Sequence, residues 1–450
     1  MLLGMNRYQW TVLFAAWLGW GFDIFDGLLF TFVAPNCIPT LLGQTIGSPE
    51  ARASTFYYTG LFTSLLLLGW AAGGILFGRI ADRIGRTKTL ALTMLTYSLG
   101  TALCAFAPNL WALALFRLIA SLGIGGEWAA GASLVNEVVP KERRVEAGAL
   151  LYTSAPMGLF LADFVNFQIA GNLMAGSPST SWRWIFLFGL IPAAVAAVVR
   201  HFVKEPEAWV RESQKMAKPP AIRELFSPRM RPLTLSGLAM ALTALLCWWS
   251  CNAFIPIIAP GLAQDYLSLA QPHMVAPEAN PEQKKAAEKV KETWKSTATK
   301  VFNLGGLLGT LLTVPFAKFL GRRFTFGIYF ILSSLAIYTA FGVNMEPQTR
   351  LYTFSLLGLT VFGVFGMFTY YLPELFPTRL RATGSGFCYN IGRIITAGGP
   401  FLVGVVARRY GPAGAMEMLT WVCIVPLLGA CCLPWVVETK NRDPEEVLEK

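Results

Sequence analysis

The chain has 450 residues, of which 54% are hydrophobic and only 14% charged, and its mean hydropathy is +0.50. Because soluble domains carry about 25% charged residues, this composition excludes a soluble multidomain enzyme and a disordered protein. The formal net charge is +11, but the basic residues stand in short clusters between long apolar runs, which is typical of loops that orient a membrane protein and argues against nucleic-acid binding.

Twelve stretches are long and apolar enough to cross a bilayer as helices, since a span needs about 20 apolar residues. Lipid admits only helices or closed barrels, and the runs lack a period of two. We therefore predict an all-α polytopic membrane protein. The approximate limits of the segments are 9–34, 57–80, 88–107, 110–136, 146–172, 183–203, 232–259, 299–317, 324–343, 350–372, 382–407 and 414–437.

Polar stretches divide the chain into two halves of six segments each. Residues 204–231 separate a bundle at 1–203 from a bundle at 232–440, and a tail occupies 441–450. Lys and Arg concentrate in the loops on the side of the N-terminus, so we expect both termini to be cytoplasmic. The second polar stretch, 260–298, is then an extracytoplasmic loop containing a short solvated helix.

The first segment holds two acidic residues, Asp23 and Asp26, nearly one helical turn apart. An ionisable side chain deep in lipid costs at least about 2.5 kcal/mol on insertion scales, so each needs a partner or a function. A buried carboxylate that exchanges an arginine for a proton is a coupling element for transport. Either acid is a candidate for that role. Trp17 and Trp20, on the same segment, are candidates for substrate contact.

The loop between segments two and three, residues 78–88, reads GRIADRIGRTK. An Asp near a helix N-terminus and neighbouring Arg residues can pair across the bundle in one state and separate in another, whereas charges that only set topology would not explain the Gly and Asp spacing. An inward gate and simple topology-setting charge are therefore the two interpretations of this loop. The predicted gating residues in it are Gly78, Asp82, Arg83, Gly85 and Arg86.

Segment four carries Arg117 and Glu127. At 1.5 Å rise per residue, Asp26 and Arg117 lie at depths of roughly 13 and 12 Å, so we expect them to pair across adjacent helices. The alternatives for this pair are proton coupling and a permanent structural ion pair. Glu127 lies in the inner half, where binding substrate, relaying a proton and locking the gate all remain open. We place Asp163, in segment five, on a solvated cavity wall.

A short motif recurs at the equivalent loop of each half, which indicates a duplication. Glu137 is followed by Pro140 and a basic run ending at Arg144, and the same order returns after segment ten as EVVPKERR against ELFPTRLR. We add these loops to the gate. The predicted gating residues in them are Glu137, Arg144, Glu374 and Arg381.

Arg393 lies roughly 18 Å into segment eleven, near the midplane. It follows Tyr389 and Asn390 by one turn, and a guanidinium in such surroundings can bind a carboxylate through two parallel hydrogen bonds. The alternatives are pairing with Glu127 or Asp163, or a long reach to water. Further candidates for substrate contact are Trp249, Asn252, Asn303 and Tyr370.

Only two histidines are present, and the eight cysteines include no CxxC pair. Metal ligation would require clustered Cys or His, so we expect neither a metal nor another cofactor. No nucleophile–base arrangement and no P-loop pattern occur either. We therefore predict a protein that is not an enzyme and is not driven directly by ATP.

The loop 78–88 resembles the signature loop of the major facilitator superfamily, G-x-x-x-D-R-x-G-R-R/K, with Thr87 where the signature has a base. Arg117 and the run 123–126 (GIGG) are similar to the family's R-x-x-x-G-x-G helix. The run 23–26 (DIFD) resembles the D-G-F-D element of the sialate, lactate and aromatic-acid proton symporter branches, with Ile24 in place of Gly. The resemblance implies a twelve-helix secondary transporter, and it is the main reason for assigning the loop 78–88 to an inward gate.

From the resemblance and the buried charges we predict proton-coupled symport of a small organic anion by alternating access. A monocarboxylate, a sugar acid or an aromatic acid would suit Arg393. The partners are then the substrate, protons and the lipid bilayer, and we expect a monomer in the cell membrane. The alternatives are transport of a neutral sugar or polyol, export, and a membrane sensor that transports nothing.

Overall fold

The computed structural model describes residues 5–84, 86–140, 143–195, 222–276, 278–377 and 380–440. Within these ranges the regular structure is entirely helical. Of the predicted linker 204–231, residues 204–221 lie outside the described residues, as does the tail 441–450.

Six helical rods form the first half of the chain. Asn6 caps the first rod through reciprocal hydrogen bonds with Gln9, and Gly43 ends it with a left-handed φ of 68°, the conformation that glycine adopts without strain. The rods are α1 (Arg7–Leu42), α2 (Pro49–Ile84), α3 (Arg86–Cys104), α4 (Leu110–Val138), α5 (Arg144–Tyr152, Ser154–Asn166 and the π-helical turn Phe167–Leu173) and α6 (Pro178–Leu187, continued by the 3-10 turn Phe188–Leu190).

Six more rods form the second half. A kink at Gly411, whose φ is 72° and ψ −169°, divides the helix Gly398–Trp421 between the last two of them. The rods are α7 (Arg231–Asn252 and Ile255–Ala270), α8 (Pro281–Phe319), α9 (Arg322–Ile337 and Tyr338–Gly342), α10 (Pro347–Leu357, Gly358–Phe362, Gly363–Met367 and Phe368–Leu375), α11 (Arg381–Thr396 and the part of Gly398–Trp421 before the kink) and α12 (the part after it and Ile424–Cys431). Short helical turns occur at Ile222–Phe226, Pro272–Val275 and Leu433–Trp435.

By length and composition, eight helical stretches of the described chain can cross a membrane. One of them, Thr383–Trp435, is 53 residues long, and the kink at Gly411 divides it into two parts that are each long enough to form a span. Helix α4 contributes the shorter apolar stretch Leu110–Gly126, and α3 and α6 complete the set of twelve rods. The predicted all-α polytopic architecture is therefore confirmed.

The polar stretch 260–298 differs from the short solvated helix predicted there. Helix α7 continues to Ala270, and α8 begins at Pro281 and runs unbroken for 39 residues. Asn280 caps α8 through reciprocal bonds with Gln283, and the charged residues that follow favour helix whether or not lipid surrounds them. Hydropathy detected only the apolar part of α8, 299–317.

The two halves pack by equivalent contacts. An added Cβ on Gly125 of α4 would collide with the carbonyl oxygen of Trp70 on α2, and one on Gly309 of α8 would collide with that of Leu359 on α10. Glycine at these two positions lets the backbones touch. Helix α8 stands six rods after α2, and α10 stands six rods after α4. The pair α2–α4 and the pair α8–α10 are therefore related by the duplication that the repeated loop motif indicates.

The bundles meet through α2 against α11 and through α5 against α8. Ser64 of α2 donates a hydrogen bond to the carbonyl oxygen of Ala397 at 2.6 Å. Asn166 of α5 donates to Glu292 of α8 at 2.8 Å. These contacts make the bundle interface partly polar, and it encloses the side chains that the sequence singles out.

Both ends of the described chain lie at one face of the bundles. Gln9 donates to the carbonyl oxygen of Val138 at 3.0 Å, and Lys440 donates to that of Phe319 at 3.0 Å. We call this side the terminal face. The other side, which holds the connection from α1 to α2 and the start of α8, is called the opposite face.

Candidate functional site

Arg393 of α11 lies at the interface between the bundles, with 4% of its surface exposed. Its Nη1 donates to the side-chain oxygen of Asn390 at 3.2 Å. The guanidinium carbon lies 4.4 Å from the ring centroid of Trp70 on α2 and 4.6 Å from that of Tyr389. Aromatic faces attract a cation, so rings from both bundles hold this charge in place.

Asp23 of α1 faces the same arginine from the other bundle. It is buried, with 2% of its surface exposed, and it interacts electrostatically with Arg393. Of the acidic partners considered from the sequence, Asp163 lies elsewhere, and the side chain of Glu127 is outside the described residues. The structure therefore couples an acid of the first half to a base of the second.

A ring of aromatic side chains surrounds this charged centre. Trp20 meets Tyr152 edge to face at 5.3 Å, and Trp249 meets Trp70 edge to face at 5.6 Å. The Tyr152 hydroxyl hydrogen-bonds with Tyr389, which ties α5 to α11. The enclosure thus combines rings that stack on apolar groups with hydroxyl and indole groups that orient polar ones.

Sequence reasoning missed three members of this enclosure: Trp70, Tyr152 and Phe365. Tyr152 stacks on Phe365 with centroids 5.9 Å apart and planes at 16°. Trp70 carried a signal, because it stands in the middle of segment two and membrane Trp otherwise concentrates at the interfaces.

The expected Asp26–Arg117 ion pair takes a different form. The two residues are adjacent, but Arg117 donates to main-chain carbonyl oxygens, those of Asp26 at 3.1 Å and Gly27 at 2.6 Å. The Asp26 carboxylate accepts instead from the Thr101 hydroxyl at 2.7 Å. The two residues are neighbours, as their equal depth predicts. However, the arginine donates to carbonyl oxygens of α1, each of which has a second lone pair besides the one used within the helix. These bonds anchor α4 to α1.

Four other predicted substrate contacts are buried or half-buried, and two of them donate hydrogen bonds within the protein. The Trp17 indole donates to Thr153 at 3.0 Å, and the Asn303 amide donates to the carbonyl oxygen of Thr299 at 2.8 Å. Asn252 is buried at the end of the first part of α7. Tyr370 lies towards the terminal face, where the Arg322 guanidinium is 5.6 Å from its ring.

At the terminal face an ion pair joins the bundles. Lys318 at the end of α8 contacts Glu146 at the start of α5 at 2.6 Å, and Arg143 approaches the same carboxylate at 3.5 Å. These residues are near the predicted gate but were not themselves predicted. Because the pair spans the two halves, separating the bundles at this face requires breaking it.

Two of the predicted gating residues instead hold the second bundle together. Glu374 accepts two hydrogen bonds from Arg322 at 2.7 and 3.0 Å and one from Thr439 at 2.6 Å. Arg381 donates to the carbonyl oxygen of Pro373 at 3.1 Å. All of these partners belong to the C-terminal half, so the predicted gating role of Glu374 and Arg381 gains no cross-bundle contact here.

The remaining predicted residues fall where the structure gives no side-chain description. Gly85 lies outside the described residues. The structure also gives no side-chain description at seven further positions, namely Gly78, Asp82, Arg83, Arg86, Glu127, Glu137 and Arg144.

Glu438 caps the start of α9. The loop before this helix, residues 315–323 (PFAKFLGRR), is the equivalent of the 78–88 loop in the second half but contains no Asp. Its carboxylate oxygens accept from the backbone N–H groups of Arg322 and Arg323, both at 2.9 Å. Burial raises the pKa of the Glu438 carboxyl, but hydrogen bonds from Arg322, Arg323 and Lys440 outweigh that effect and hold the pKa below its ordinary value. A distant residue thus supplies the anion that a helix N-terminus favours.

A second polar layer closes the interface at the opposite face, and we call it the closing layer. Lys295 of α8, with no exposed surface, pairs with Glu292 at 2.7 Å and donates to the carbonyl oxygen of Phe32 on α1 at 3.1 Å. Glu292 also accepts from Asn166 at 2.8 Å.

Ser296 completes the closing layer by donating to Asp163 of α5 at 2.8 Å. Asp163 therefore lies in a bonded layer rather than on a solvated wall. The sequence signal was present, because residues 292, 295 and 296 share one face of a helix, but they fell in the stretch assigned to a loop.

Comparison with known proteins identifies the family. Residues 10–393 match the family profile described as the Major Facilitator Superfamily. The chain belongs to this superfamily. It is accordingly a multi-pass membrane transport protein for a small molecule and not an enzyme, as predicted.

Several curated and solved proteins are similar along most or all of their length. The chain is 28% identical over 443 residues to a probable 4-methylmuconolactone transporter of Cupriavidus pinatubonensis, covering 97% of this chain and 92% of that one. It is 26% identical over 423 residues to the sialic acid transporter NanX of Escherichia coli, covering 92% of both.

The structure of a D-xylose-proton symporter superposes with a TM-score of 0.71 at 15% identity, covering 97% of this chain and all of that one. At this identity the similarity concerns the fold.

Proposed function

We propose that this protein is a proton-coupled symporter that takes up a small organic anion by alternating access. The observation that carries the proposal is the enclosure of Arg393 by aromatic rings contributed by both bundles. A buried guanidinium costs free energy that a neutral cargo would not repay, whereas a carboxylate cargo would neutralise it. Two relatives are named for sialic acid and a muconolactone, and both compounds are carboxylic acids.

Proton coupling follows from the position of Asp23. When the carboxylate of a substrate approaches Arg393, two anions compete for one guanidinium. Protonation of Asp23 removes that repulsion, so a proton and an anion bind more favourably together than separately. Asp26 is a less suitable carrier because its main contacts, with Thr101 and through its carbonyl to Arg117, lie within the first bundle.

Alternating access is supported by the layers on either side of the centre. Glu146 and Lys318 join the bundles at the terminal face, and Glu292, Lys295 and Asn166 join them at the opposite face. Opening one layer while the other stays closed would expose Arg393 to one side at a time. We place the terminal face in the cytoplasm, because Lys and Arg concentrate in its loops, and the protein in the cell membrane as a monomer.

The test is uptake into liposomes under an inward proton gradient. The panel contains N-acetylneuraminate, 4-methylmuconolactone, nicotinate and benzoate as anions, with nicotinamide and xylose as neutral compounds. We expect at least one anion to accumulate and to lose accumulation when a protonophore is added.

The variant Arg393→Gln serves as the key comparison, with Arg409→Gln on the exposed surface of α11 as the matched control. A hydrogen bond to a charged group contributes about 1.5–3 kcal/mol, so Arg393→Gln should weaken anion binding by about 10- to 100-fold. Full activity of this variant on an anion, or accumulation of only neutral compounds, would contradict the proposal.

A further inference from the structure

A cavity lies at the opposite face, between the bundles and outside the closing layer. Its volume is about 370 Å³. Glu292 and Lys295 of the closing layer form part of its wall, and the connections from α1 to α2 and from α9 to α10 contribute Gly47 and Met345. The cavity is therefore placed between the surface and the layer that separates that surface from Arg393.

Four cationic residues line this cavity, and three of them already have partners. Lys291 pairs with Glu288 at 2.7 Å, and Lys295 pairs with Glu292 at 2.7 Å. Arg350 donates to the carbonyl oxygens of Ala340 at 2.9 Å and Val343 at 2.8 Å. The acidic residues among the lining are Asp265, Glu288 and Glu292.

Arg52 is the fourth cation, and it differs from the other three. Within the described ranges, no acidic side chain pairs with it, including Asp265 on the facing helix. It stands in the first turn of α2, where the free N–H groups add positive potential. Its guanidinium reaches across the bundle interface to α7. There, Nη2 of Arg52 lies 3.1 Å from the position that a Cβ on Gly261 would occupy.

We propose that this cavity is a second binding site for a small organic carboxylate, with Arg52 as the residue that contacts the anion. The substrate class rests on the proposed function. Phe56, Ile257 and Phe341 also line the cavity and offer apolar surface to the hydrocarbon part of such an acid. The site would hold substrate beside the closing layer before that layer opens towards the centre.

The proposal predicts two anion sites for each chain, which equilibrium binding can count. The probes are the four acids of the liposome panel in radiolabelled form, namely N-acetylneuraminate, 4-methylmuconolactone, nicotinate and benzoate. The protein is the full chain in detergent. We expect two equivalents of at least one probe to bind to the unmodified protein. One equivalent should remain in Arg52→Gln and one in Arg393→Gln, and none should remain when both are replaced.

Three further variants control for charge, folding and position. Arg52→Lys should retain part of the affinity at the outer site, whereas Arg52→Gln should lower that affinity by about tenfold or more. Arg409→Gln should bind both equivalents. All variants should elute as single symmetrical peaks in size-exclusion chromatography.

Sided transport supplies the second measurement. In right-side-out vesicles Arg52→Gln should raise the KM for uptake of the probe and leave kcat and the KM for efflux unchanged, whereas a loss of folding would lower kcat in both directions.

The outcomes separate the two proposals. If Arg52→Gln binds two equivalents with unchanged affinity, the outer site is wrong while the central one stands. If Arg393→Gln binds two equivalents with unchanged affinity, the proposed function is wrong. If the unmodified protein binds none of the four acids, both proposals are wrong.

Discussion

Replacing Glu292 with Gln tests the closing layer most directly, because it leaves a charged lysine without its partner. Lys295 has no exposed surface and lies 2.7 Å from Glu292. Removing one member of a buried ion pair costs about 3–5 kcal/mol. The cost applies only while the interface is closed, since water reaches Lys295 once the bundles separate at this face.

The expected magnitude follows from that difference. A penalty of about 3 kcal/mol on the closed arrangement shifts the ratio of open to closed molecules by about 100-fold. Adding Lys295→Met should remove the buried charge and restore most of the closed population, so the double variant should be closer to the original protein than Glu292→Gln is.

The assay is a spin-label distance between Leu42→Cys on α1 and Leu269→Cys on α7. Both positions are exposed, with 37% and 81% of their surface accessible, and they lie in different bundles at the opposite face. The exposed native Cys431 is replaced with Ser in all samples. Glu292→Gln should lengthen the distance. An unchanged distance distribution, or the same change in the double variant, would refute the reasoning.

Three other predictions concern proton coupling and stability. Asp23→Asn should abolish proton-driven accumulation in liposomes but retain counterflow exchange of the same anion, and retained accumulation would exclude Asp23 as the proton carrier. Glu438→Gln should remove one contribution to the pH dependence of the melting temperature. Folding lowers the pKa of the Glu438 carboxyl from its ordinary 4.5, so the ionised carboxylate stabilises the fold above that pH, and this stabilisation is lost as the pH falls below it. Between pH 6 and pH 3 the original protein should therefore lose this contribution to its melting temperature, whereas Glu438→Gln should not. Gly321→Ala should lower the melting temperature, since Gly321 has a φ of 89° and a Cβ would lie 2.7 Å from Glu438, a strain of about 1–3 kcal/mol or more. Gly386→Ala, in a helix with nothing near the added methyl, is the matched control and should be neutral or slightly stabilising.

Much of the fold was predictable because local composition decides whether a segment enters lipid. The twelve predicted segments correspond to the twelve rods, and the first begins two residues after α1 does. The exception, α8, shows the limit of hydropathy. Its first three turns are charged, and they remain helical because a capped start and good helix formers stabilise them in water as well as in a bundle.

The candidate site was predictable residue by residue but not as an arrangement. A charge in an apolar span is visible in the sequence, so Asp23, Asp26, Arg117 and Arg393 were singled out without coordinates. Their partners were not visible. Asp26 and Arg117 share a depth, yet the arginine bonds to carbonyl oxygens, since depth along a helix does not fix which way a side chain turns.

The sequence by itself determined that this chain spans a membrane as a duplicated set of helices with a few fixed charges inside. These properties depend on segment length, apolar content and short motifs, all of which are local. Only the tertiary structure decided that Asp23 faces Arg393, that Lys295 is buried against α1, and that Glu438 caps α9. Each of these contacts joins residues far apart in the chain, and it exists because two helices present particular faces to each other, which no local pattern specifies.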